Sequence, residues 1–151
     1  MFPLFPKNDP AQTLRIRRFL IAAWSYVMWM ALITYCHYHG FIRLSVEWTV
    51  AAFVLFLLIQ ALFYVFMRSG ANKRLTDPSM TLLQMVVAAV GAMIVIYFTD
   101  VVRGIMLLGY IVTILFGIFG FTFRQYIIFT LFSMTSYAFV IFLLLNHHPE
   151  N

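Results

Sequence analysis

Of the 151 residues, 64% are hydrophobic, 19% are aromatic and only 10% are charged, and the mean hydropathy is +0.93. Soluble domains carry roughly 25% charged residues, so a water-soluble globule is excluded. The net charge of +5 does not point to nucleic acid, because the basic residues flank apolar runs and form no patch interleaved with aromatics.

In chain order, residues 1–18 read as a cytoplasmic N-terminal tail. Its opening, MFPLFPKNDPAQT, holds three prolines and no helical period, and Arg15, Arg17 and Arg18 follow. The uncharged run from Phe19 to Ile42 is too long for the core of a signal peptide. It predicts a first membrane span over 19–40, ending at Gly40, with Arg43 and Glu47 in a short outer loop. The second span covers 48–67 and opens on Trp48, an aromatic suited to the interface. The polar stretch RSGANKRLTDPS, Arg68 to Ser79, should be a cytoplasmic loop. Asp77 is expected to cap the next helix and Pro78 to fill its first position, so that the third span runs over 80–99. Asp100 to Arg103 make an outer turn, 104–123 is the fourth span, Arg124 marks a tight inner turn, 125–145 is the fifth span and 146–151 is an outer tail.

Each run is about 20 residues, enough to cross roughly 30 Å of hydrocarbon at 1.5 Å per residue. A barrel alternation is absent, so the fold class is an all-α integral membrane protein, a bundle of five transmembrane helices. Lys7, Arg15, Arg17, Arg18, Arg68, Lys73, Arg74 and Arg124 fall on the inner side and only Arg43 and Arg103 on the outer, which puts the N-terminus in the cytoplasm. Small residues recur every four positions at Gly109, Thr113 and Gly117 and at Ala88 and Ala92, predicting close packing of the third and fourth helices. Five crossings leave the two ends on opposite sides, so a sixth helix, missing from this chain, is expected.

The segments RIRRFLIAAWSY, TDPSMTLLQM, YFTDVVRGIMLLGY and LFGIFGFTFRQ, spread between Leu14 and Leu145, resemble the membrane-embedded N-terminal sensor region of bacterial diguanylate cyclases. That resemblance implies a multi-pass location in the bacterial inner membrane. It also implies a homodimer, an unknown small-molecule or membrane-derived signal, and control of a cytoplasmic cyclase domain that makes cyclic-di-GMP. The chain departs from the family pattern in lacking a sixth span and the Gly-Gly-Asp/Glu-Glu-Phe signature. No catalytic residue is therefore expected here; the enzyme would be the parent protein.

Several polar groups stand out against this apolar background. Asp100 and Arg103, three residues apart at the outer edge, either close their turn as an ion pair or, with Tyr97, bind a polar ligand from outside. Gln60 and Gln84 lie within spans, where an unpaired amide is costly; each either fixes helix packing or lines a binding cavity. His37, His39, His147 and His148 fall at the outer ends of spans one and five, where they either face water and headgroups or hold a transition metal or, less favourably, a haem. Neither pair has the i, i+4 spacing that puts two ligands on one helical face. Cys36 has no second cysteine to pair with. Besides the sensory reading, a small transporter or channel subunit and a metal- or haem-carrying membrane protein remain as alternatives, the transporter disfavoured because span centres lack ionisable groups.

Overall fold

The computed structural model describes residues 9–118 and 120–147, with 109 and 112–118 described through their backbone only. The described chain is helical, with no strand and one isolated antiparallel bridge. Five α-helices follow one another: α1 (Pro10–Tyr38), α2 (Val46–Arg68), α3 (Thr81–Phe98), α4 (Arg103–Ile118) and α5 (Phe123–His147), with a single 3₁₀ turn at Ala71–Arg74 between α2 and α3. They divide into two compact units. One comprises residues 1–39 and 45–80, the other residues 40–44 and 81–151.

The first unit pairs α1 with α2. α1 starts well before the apolar run at Phe19, because Asp9 is an N-cap whose carboxylate accepts from the Gln12 amide at 2.9 Å, and Pro10 supplies a first position that needs no donor. The expected unstructured tail is thus helical from residue 10, and the three arginines stand on that helix. The buried residues Gln12, Ile16 and Phe19 of α1, and Gln60, Phe63 and Met67 of α2, each follow the three-and-four spacing of one helical face. Farther along, Tyr26 meets Phe56 edge to face at 5.1 Å. Gly40, at φ 73°, lies just past the end of α1, as expected of a residue that stops a helix in the left-handed region. Glu47 sits in the first turn of α2, not in the loop before it.

Asp77 and Pro78 do not start α3. The Asp77 carboxylate accepts from the Ser79 amide at 3.1 Å and its carbonyl accepts from the Met80 amide at 3.0 Å, which closes a turn. Met80 then adopts φ 54°, a left-handed conformation incompatible with a continuing helix, and α3 begins one residue later at Thr81.

In the second unit α3 packs against both α4 and α5. Its buried residues are Gln84, Met85, Ala88, Ala89, Met93 and Ile96, with Ala92 half-buried, consistent with the expected close approach of the third and fourth helices; the side-chain surroundings of Gly109, Thr113 and Gly117 lie outside the description. The described part of α4, sixteen residues, is about 24 Å long, against roughly 30 Å of hydrocarbon. The chain leaves the helix through Gly120, and Thr122 opens α5 with a capping box: Gln125 Oε1 accepts from the Thr122 amide and hydroxyl at 2.9 and 3.0 Å, and the Gln125 amide donates to the Thr122 hydroxyl at 3.4 Å. Among the described residues, α1, α2, α3 and α5 are the helices long and apolar enough to cross a membrane.

Candidate functional site

The connection 40–44, although it joins α1 to α2 in sequence, belongs with α3, α4 and α5. Ile42 bridges Thr99, and the Arg43 amide donates to the Phe98 carbonyl at 2.8 Å. This short antiparallel contact sets the Arg43 side chain against the turn between α3 and α4.

There Arg43 Nε meets Asp100 Oδ2 at 3.0 Å, and Arg103 Nη2 donates to Asp100 Oδ1 at 3.3 Å. Each guanidinium is also anchored to main chain. Arg43 Nη2 donates to the Tyr97 carbonyl at 2.9 Å and Arg103 Nε to the Thr99 carbonyl at 3.0 Å. The Arg103 amide donates to the Asp100 carbonyl at 3.3 Å, so backbone and side chain together close the turn at the N-terminus of α4. Two guanidiniums on one carboxylate give the cluster a net charge of +1. The side chains of Arg43, Arg103 and Asp100 are 28%, 20% and 30% exposed, so water screens the ion pairs, each worth on the order of 1 kcal/mol or less.

The expected pair of Asp100 and Arg103 is therefore present, and Tyr97 adjoins it through its carbonyl while its ring lies edge-on to Phe98 at 5.0 Å. Arg43 was missing from the sequence reading. The signal was available: Arg43 and Arg103 are the two basic residues on the expected outer side, and such cations call for a nearby carboxylate.

Gln84 does not join this cluster. It is buried near the start of α3, about 20 Å along the helix axis from Tyr97. Gln60 is buried in the first unit, and neither atom of its amide has a hydrogen-bond partner among the described residues. His37 and His39 end α1 in the first unit, with the His39 ring against Tyr35 at 4.5 Å and Tyr38 at 5.4 Å. His147 ends α5 in the second unit, and His148 lies outside the described residues. No group of three or more His, Cys, Asp or Glu suited to a metal occurs among the described residues. Of the two tryptophans of α1, Trp24 is exposed and Trp29 is half-buried.

A second polar cluster, in the first unit, had no sequence motif to announce it. Gln12 Nε2 donates to the Met67 carbonyl and, at 2.7 Å, to Asn72 Oδ1; Asn72 Nδ2 returns a bond to Gln12 Oε1 at 3.3 Å and donates to the Pro78 carbonyl. Gln12 and Asn72 are 2% and 0% exposed. Arg15 adds a bond to Gln12 Oε1 at 3.1 Å, and Lys73 pairs with Asp9. The bonded Lys73 ammonium, followed by the Gln12 amide, holds the Asp9 carboxyl below its usual range.

Compared with known proteins, the chain matches no family model, and neither a curated protein nor a solved structure shows significant similarity to it.

Proposed function

We propose that this chain is the input module of a bacterial signalling protein, a multi-pass bundle in the cytoplasmic membrane with its N-terminus inside the cell. It would act as a homodimer on a diguanylate cyclase domain carried elsewhere in the parent protein. The supporting observation is an inverted pattern of burial. Gln12, Gln60, Asn72, Gln84, Thr99 and Ser133 are buried, while Ile21, Trp24, Met28, Leu62 and Leu145 are each more than 60% exposed. Water would drive those apolar side chains inward; hydrocarbon is their natural solvent, and it is the polar groups that must then find partners inside. Signalling, as opposed to transport, is supported by the placement of ionisable groups at helix ends, in connections and in the opening stretch of α1. The segments resembling cyclase input regions point the same way.

In this reading α4 crosses the membrane despite the length of its described part, with local thinning of the bilayer making up the difference. A signal acts by binding unequally to two arrangements of the helices, and no other route to switching exists thermodynamically. Two experiments test the proposal. An alkaline phosphatase reporter joined at His147 should be active outside the cytoplasm and one joined at Lys73 inactive; the reverse pattern rejects the topology. Linked through one further membrane helix to a diguanylate cyclase catalytic domain, the chain should give cyclic-di-GMP output that changes with Asp100→Asn. Output indifferent to every substitution in the outer cluster rejects sensing.

A further inference from the structure

We infer that the Arg43–Asp100–Arg103 cluster binds a phosphate anion of the kind found in a phospholipid headgroup or in free phosphate. The inference rests on the membrane placement proposed above and gives the outer cluster its ligand chemistry.

A guanidinium carries five N–H donors. Arg43 commits two, one to Asp100 and one to the Tyr97 carbonyl, and Arg103 commits two, one to the Thr99 carbonyl and one to Asp100. Five less two leaves three donors on each arginine with no partner among the described residues. Main-chain carbonyls and the shared carboxylate hold both guanidinium planes before any ligand arrives. The charge balance favours an anion. Two cations and one carboxylate leave +1, which a phosphodiester monoanion neutralises, whereas a cationic solute is repelled. Paired guanidiniums suit phosphate better than a lone ammonium would, since their planar forks can each bond two oxygens. Arg103 is also the first residue of α4, where the helix dipole favours an anion.

The surroundings favour a lipid headgroup over a free ion as the source. Val101, in the same turn as Asp100, is 83% exposed, and Ile105, in the first turn of α4, is 54% exposed. Apolar side chains laid open beside unsatisfied guanidiniums match the boundary where a lipid's phosphate meets its acyl chains.

The test uses the full chain purified in a mild detergent, with phosphatidylglycerol and inorganic phosphate as separate probes. Native mass spectrometry reads retained lipid; thermal melting of the delipidated protein reads inorganic phosphate. Arg43→Gln and Arg103→Gln should each weaken binding about tenfold or more, the cost of one charge-assisted hydrogen bond. Asp100→Asn removes the competing carboxylate and should leave binding equal or tighter. A lipid adduct that excess inorganic phosphate does not displace assigns the headgroup; stabilisation by inorganic phosphate without a lipid adduct assigns the free anion. Circular dichroism of each variant confirms that it is folded, and Arg43→Lys, which keeps the charge but loses the fork, should be intermediate. The inference is overturned if neither probe binds the native chain, or if folded arginine variants bind as the native chain does, or if Asp100→Asn loses binding along with them, as a merely structural clasp would. Neither readout involves a cyclase, so silent cyclase output and absent phosphate binding are separate failures.

Discussion

The two units are closed by polar clusters built on opposite principles. In the first, two neutral amides, Gln12 and Asn72, lie almost wholly inside and bond each other, the Met67 carbonyl and the Pro78 carbonyl. In the second, three charged side chains, Arg43, Asp100 and Arg103, stay part-exposed and share one carboxylate. The difference teaches where stability and responsiveness reside. A buried amide pair is shut off from water, so a bond lost on one half is not replaced by solvent on the other. A hydrated ion cluster contributes little net stability, but it keeps donors available and can be reset by salt or a ligand.

The sharpest way to break this contrast is Asn72→Leu. It removes the two bonds that Gln12 shares with Asn72 and strands the Pro78 carbonyl, and should cost about 2–3 kcal/mol, read as a lowered melting temperature in detergent. Replacing Gln12 and Asn72 together by leucine should cost less than the sum of the single changes, since the stranded partner is removed as well; a double-mutant cycle measures the shortfall. Asp100→Ala should be milder, about 1 kcal/mol, because both arginines keep their carbonyl anchors and their access to water. Raising salt from low to about 1 M should erase most of that difference and leave the Asn72→Leu difference intact, because the Debye length falls to about 3 Å.

The smallest effect concerns acid. Asp9 has a lowered pKa in the folded chain, so its contribution is complete above the ordinary carboxylate range and is lost as pH falls through the lowered folded value. Melting curves between neutral pH and about pH 3 should therefore show an acid-sensitive component that Lys73→Ala diminishes, because the Lys73 bond is the largest cause of the shift.

Two Asp-Pro pairs show how far local sequence carries. NDPAQ at residues 8–12 and TDPSM at residues 76–80 present the same capping dipeptide. Only the first starts a helix at its proline. At the second, the Pro78 carbonyl is taken by Asn72, the Asp77 side chain closes its own turn, and Met80 turns left-handed before α3 begins. The dipeptide alone does not separate the two sites; local hydrogen bonding does, since Asp9 accepts from the Gln12 amide three residues on while Asp77 accepts from Ser79 within its own turn. The capping box of Thr122 and Gln125 is legible in the same way.

Sequence alone determined that the chain is helical and marked five apolar runs as crossings; among the described residues four of the helices are long and apolar enough to cross a membrane, because hydropathy over some 20 residues is a local sum that no tertiary contact can change. It also marked Asp100 and Arg103 as partners, since three residues' separation across a turn leaves them little choice. Only the tertiary structure decided that Gln12 meets Asn72 and that Arg43 reaches Asp100. Those pairs lie far apart along the chain, and a polar side chain's partner is set by which backbone segments fold side by side, a fact that neither composition nor spacing contains.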